Sequence, residues 1–152
     1  GAILWLTLFR DKIDEIMEQV KCPVAVFVNR QYREGSAVSF VLGGMIDLFL
    51  FSYLDKMLQN GHSVRLFLFD TDDEEFRGHI DDLQVRYPEQ TMIVWFAGVE
   101  DLVTEEKDGL LIMSHLSYTK LSEDEAVMRE LSSLLVIRRN KNTGDKNEGL
   151  EN

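Results

Sequence analysis

The chain predicts a three-layer α/β/α domain on a mainly parallel sheet of about five strands, and three observations carry that prediction. Ala37 to Leu42 is an apolar strand that closes on Gly43-Gly44 and runs straight into a helix, and Val64 to Phe69 is a second apolar strand after it. Strand, glycine turn, helix and strand make a β-α-β unit, whose crossover implies parallel pairing. Further short apolar strands follow at 92–96, 110–113 and 134–137, separated by short turns and helical patterns.

Taken in order, Ile3 to Phe9 is apolar and the pattern changes near Arg10. Ile13, Ile16, Met17 and Val20 recur at helical spacing between Asp11, Asp14, Glu15 and Glu18, which predicts an amphipathic helix ending before Pro23. Residues 1–20 therefore read as a linker with this helix, ahead of a domain over 21–139. Val24 to Val28 has a buried-strand pattern and is a candidate extra strand at a sheet edge, followed by a polar turn from Asn29 to Ser36.

Beyond Gly44, Ile46, Phe49, Leu50, Phe51, Tyr53, Leu54, Met57 and Leu58 share an arc of about 200° at 100° per residue. Asp47, Ser52, Asp55, Lys56 and Gln59 fall on the other side, and Asn60-Gly61 supplies the stop. So wide an arc predicts contact with a second element or subunit as well as the sheet. The acidic run Asp70 to Glu75 opens a helix ending near Tyr87, where acidic residues complement the helix dipole. Val99 to Asp108 reads as a loop or short helix. Ser122 with Glu125 reads as a capping box for a helix to Leu131, and 140–152 reads as a disordered polar tail.

With 152 residues the chain can bury one substantial core. A formal net charge of −11 argues against nucleic acid as a partner, because phosphates require clustered Lys and Arg, and against adhesion to an anionic membrane surface. Cys22 is the single cysteine and has no partner for an internal disulfide, which fits a reducing compartment. No apolar run approaches the roughly 20 residues of a membrane span. Gly1 and Ala2 read as a cloning remnant, so the natural chain is expected to extend upstream.

Ligands of open parallel sheets sit outside the carboxyl ends of the strands, which places Gly43, Gly44, Asp70, Ser114 and His115 on the candidate binding edge. Gly43-Gly44 serves a tight strand-to-helix turn, or lets a phosphate approach the backbone. Met45, Ile46 and Asp47 make that rim unattractive to an anion. Asp70 and Asp72 have the spacing of the paired carboxylates that hold Mg²⁺ in phosphotransferases of the haloacid dehalogenase type. Asp73-Glu74 departs from that pattern, and acidic helix caps explain the run as well. None of His62, His79 and His115 has metal-ligand spacing to another His or to Cys22, and Ser114 lacks the glycines of a nucleophile elbow. Catalytic residues, metal and cofactor are therefore expected to be absent.

Several local patterns resemble the universal stress protein superfamily, a Rossmann-like α/β fold. They are most similar to the cytosolic carboxyl-terminal domains of monovalent cation:proton antiporters. The resemblance lies in a Cys-Pro pair leading to a strand that ends on an amide and Arg, here Cys22-Pro23 to Asn29-Arg30. It continues in the strand closing on Gly43-Gly44, in Val64 to Phe69, in Asp108 to Met113 and in Ser133 to Ile137. Asn29, Gly43, Gly44, Asp70, Ser114 and His115 are the ligand-site candidates under this resemblance. Two departures stand out. Met45-Ile46-Asp47-Leu48-Phe49 replaces the acidic and Arg cluster usual after the paired glycines, and 114–120 lacks the glycines of ATP-binding stress proteins.

The resemblance implies a non-catalytic regulatory domain at the cytoplasmic face of the cell membrane, attached to a membrane transporter domain in the same chain. It implies modulation of cation:proton exchange through a small-molecule effector or partner surface. Homodimerisation is expected through an edge strand at 134–137 or the wide apolar arc after Met45. The alternative is a free-standing nucleotide-binding stress protein.

Overall fold

A computed structural model describes residues 3–8, 13–69, 72–103 and 107–139. The chain runs β1 (Leu4–Leu8), α1 (Ile13–Gln19), β2 (Val24–Val28), β3 (Val38–Leu42), a 3-10 helix (Met45–Leu50) continuing into α2 (Phe51–Gln59), and β4 (Val64–Phe69). It continues through α3 (Glu74–Arg86), β5 (Thr91–Phe96), a 3-10 turn (Val99–Leu102), β6 (Leu110–Ser114), α4 (His115–Leu121), α5 (Glu125–Met128) and β7 (Ser133–Arg138).

All seven strands lie in one sheet, in the order β1-β2-β7-β6-β3-β4-β5. From β7 to β5 every neighbour is parallel, giving the five parallel strands read in the sequence. Two further strands extend the sheet. β2 runs antiparallel to β7, and β1 runs parallel to β2 with Leu6 opposite Val26. The stretch 4–8, assigned above to a linker, is thus the outer strand, and it moves Val24–Val28 inward from the edge. β7 is paired on both sides, by β6 and β2, and Val136 is fully buried. The edge expected at 134–137 does not exist, and the outer strands are β1 and β5.

Helices cover both faces. One face packs Ile13 and Met17 of α1, Tyr118 and Leu121 of α4 and Met128 of α5 against Val26, Met113 and Leu134. The other packs Leu50, Leu54 and Leu58 with Phe76, Ile80 and Leu83 of α3 against Phe40, Leu42, Leu66 and Leu68. Each fully buried aliphatic or aromatic side chain contributes about 1.5–3 kcal/mol of transfer free energy. Part of the wide arc after Met45 is used inside the protein: beyond the sheet, Phe51 meets Phe76 and His79 of α3 edge-on, while Ile46 is exposed.

Local chemistry sets the boundaries. α3 begins where the Asp73 side chain accepts the Phe76 N–H at 3.2 Å. The segment after β6 forms α4, capped by Ser114, whose hydroxyl accepts the Ser117 N–H. Ser122 caps the end of α4, and Asp124 starts the one-turn α5, so the expected capping box at Ser122 is not used. Arg30 donates to the carbonyls of Met128 (2.7 Å) and Leu131 (3.1 Å), tying the end of β2 to the turn before β7. No helix among the described residues is long and apolar enough to cross a membrane. The tail expected at 140–152 lies outside the described residues.

Candidate functional site

The chain leaves β3 toward β4 and β5, then returns to β6 on the other side of β3. The crevice between the carboxyl ends of β3 and β6 is therefore the switch point at which open α/β sheets hold ligands. Phe40 pairs with Ile112, so Leu42 and Ser114 end level with each other, with Gly43-Gly44 and His115 immediately beyond. The sequence expectation for the position of a site and the observed crossover coincide.

Gly44 has φ +138° and ψ −161°, a conformation that only glycine adopts without strain, and it turns the chain from β3 into the 3-10 helix. In that helix three residues complete a turn, so Asp47 and Leu50 share the inward face. An α-helical wheel instead groups Ile46 with Leu50. The observed burial follows the 3-10 geometry: Asp47 is 0% exposed and Ile46 45%. The carboxylate assigned to the polar side of the helix is in fact sealed inside.

There it is bound by the protein itself. Asp47 Oδ2 accepts the Gly43 N–H at 2.6 Å and the Ser117 hydroxyl at 3.0 Å, linking the end of β3 to the first turn of α4. The Ser114 hydroxyl in turn accepts the Ser117 N–H at 3.1 Å. A β-carbon at Gly43 would come within 3.2 Å of Asp47 Oδ2 and 3.3 Å of Ser117 Oγ, so a larger residue there would press on the carboxylate and the hydroxyl. Asp47 Oδ1 is buried with no hydrogen-bond partner among the described residues. Buried polar atoms are rarely left in that state, so this oxygen marks a local unmet demand for a donor.

His115 faces away from this network. Its Nε2 lies 3.1 Å from Asp14 Oδ1 of α1, and its ring stacks beside Tyr118 with centroids 6.3 Å apart. Asn29 lies elsewhere. Because β2 is antiparallel to β7, with Val28 opposite Leu134, Asn29 sits at the other end of the sheet from Gly43 and Ser114. Its side chain accepts the Tyr32 N–H at 3.2 Å in a local turn. Asp70 lies outside the described residues. Of the six predicted site residues, Gly43, Gly44, Ser114 and His115 are therefore gathered at one crevice.

The residues that organise the crevice are Asp47 and Ser117, neither of which was a candidate. The polar groups are occupied with one another, while Leu116 is 50% and Ile46 45% exposed on its two sides. No group of three or more His, Cys, Asp or Glu side chains among the described residues could hold a metal ion. The arrangement thus offers an apolar rim around a polar centre that the chain itself fills. Compared with known proteins, the chain matches no family model, no curated protein and no solved structure.

Proposed function

We propose that the chain is a non-catalytic regulatory domain that works through a partner surface or weakly charged effector, at the cytoplasmic face of a membrane cation:proton antiporter. One observation carries the choice of a surface over a nucleotide: the donors at the switch point, Gly43 N–H and Ser117 Oγ, are taken by Asp47. A phosphate arriving there would meet a buried carboxylate and the apolar side chains Ile46 and Leu116. Such a domain acts by binding one state of the transporter better than the other, which requires a differential contact and no chemistry. The link to an antiporter rests on the sequence patterns around Cys22-Pro23, Asn29-Arg30 and Gly43-Gly44. Self-association belongs to the same proposal, and the strands available for it are the outer ones, β1 with Trp5 exposed and β5 with Trp95 partly exposed.

The test is ion exchange in inside-out vesicles carrying the full-length natural protein or a form cut ahead of this domain. A changed rate or pH set-point on removing the domain is expected. Identical exchange, or a natural chain with no membrane spans upstream, defeats the reading. A thermal shift with millimolar ATP on the unmodified chain would favour the stress-protein alternative.

A further inference from the structure

We propose that the Asp47 side chain occupies a seat that accepts a free small carboxylate once that side chain is removed. This inference rests on the same Asp47 contacts that the proposed function cites, and its test, which involves no ion exchange, can fail while the antiporter reading stands.

Three observations support it. The Asp47 carboxylate bridges two elements that are distant in sequence, joining the backbone N–H after β3 to a hydroxyl on α4. A side chain that merely capped its own helix would need only the first contact. The seat is shaped for an oxygen: the absent β-carbon of Gly43 leaves room, and the Ser114 hydroxyl fixes the Ser117 backbone from below. The second oxygen, Oδ1, is fully buried and has no hydrogen-bond partner among the described residues, so the carboxylate is not explained as the best-solvated choice for that position. A neutral acceptor would meet the same two donors without burying a charge. The occupant therefore behaves as a ligand that happens to be tethered, and its tether is the Asp47 Cα–Cβ bond.

This closure has a consequence for what the edge can bind. An anionic ligand competes with a carboxylate whose effective concentration is that of an intramolecular group. Phosphoryl ligands are thereby excluded from the β3–β6 crevice, and the exposed Ile46 and Leu116 are left as its outer contacts.

The experiment is chemical rescue. Thermal denaturation of Asp47→Ala is followed across sodium formate concentrations, with sodium chloride at equal ionic strength as the salt control. Asp47→Ala vacates the seat, leaving the Gly43 N–H and Ser117 hydroxyl without an acceptor. The midpoint is expected to rise with formate and to saturate in the millimolar range, the ceiling for so few ligand atoms. The unmodified chain and Asp47→Asn, which keeps an acceptor in place, are expected to show no rise beyond the chloride control. Adding Ser117→Ala to Asp47→Ala is expected to weaken the rescue several-fold. Equal formate responses in Asp47→Ala and the unmodified chain overturn the proposal, as does a response no greater than chloride. Should Asp47→Ala remain unfolded at every concentration, Asp47→Ser, with a shorter side chain and room for one anion oxygen, carries the same titration, and a flat response there overturns the proposal.

Discussion

Two internal ions lie near the carboxyl edge of the parallel strands, and they are held in opposite ways. Asp47, beside β3 and β6, is fully buried, with one oxygen bound by two donors and the other without a partner among the described residues. Arg138, at the end of β7, is only half-buried, and its guanidinium donates to the carbonyls of Met17, Val20 and Cys22 and to that of Arg139. The arginine closes the carboxyl end of α1, where carbonyls lack intrahelical partners and a cation is favoured. It satisfies orphaned groups while keeping contact with solvent. The aspartate joins the turn after β3 to helix α4 but surrenders its solvation to do so. The difference teaches that the β7 side of this edge is sealed for stability, whereas the β3–β6 side is sealed at a position where related architectures hold ligands.

The comparison can be broken most severely at Asp47. Asp47→Ala strands the buried Ser117 hydroxyl and the half-buried Gly43 N–H and is expected to cost about 3 kcal/mol in urea denaturation, whereas Asp47→Asn should recover most of that. Gly44→Ala forces a β-carbon into φ +138° and should cost about 2 kcal/mol, with the loss focused on the 45–50 helix in hydrogen exchange. Arg138→Ala removes bonds that solvent partly replaces, so about 1–2 kcal/mol is expected, with faster exchange confined to α1 and the entry to β2. An Arg138 effect larger than that of Asp47 would reverse the ranking of the two sites. The smallest change is Asp14→Ala: its partner His115 is part-buried, but the Asp14 side chain is 72% exposed. A loss of a few tenths of a kcal/mol is expected, measured as the same denaturation midpoint shift.

Much of the architecture was legible because its signals are local. The apolar runs of β3 and β4, the paired glycines and the Asn60-Gly61 stop define a β-α-β unit, and the observed crossover falls at its glycines. The outer strand was harder to read. Leu4–Leu8 has five residues that fit a strand, but its place depends on pairing with β2, a long-range contact that no local pattern encodes. Its presence moves β2 from the edge to the interior, while β7 is interior because β2 covers its outer side. α4 was missed because 114–120 was compared only with the glycines of ATP-binding stress proteins, and Ser114 was not read as a helix cap.

The crevice was legible as a place and illegible as chemistry. Glycine and serine at strand ends pointed to it, yet its central residue was assigned to the solvent side. A wheel at 100° per residue assumes an α-helix from Met45, and the six residues of 3-10 helix rotate Asp47 inward and Ile46 outward. The Gly43-to-Asp47 separation of four residues is the one sequence signal that a side chain could reach back to the turn. Ser117 gives no such signal, because its link to Asp47 spans 70 residues.

The most direct test of the central claim is the amide proton of Gly43 in a ¹H–¹⁵N spectrum of the unmodified chain. A 2.6 Å hydrogen bond to a buried carboxylate predicts a resonance far downfield, slow exchange with solvent, and an upfield move in Asp47→Ala. A Gly43 amide at an ordinary position, exchanging freely and unmoved by Asp47→Ala, would contradict the account.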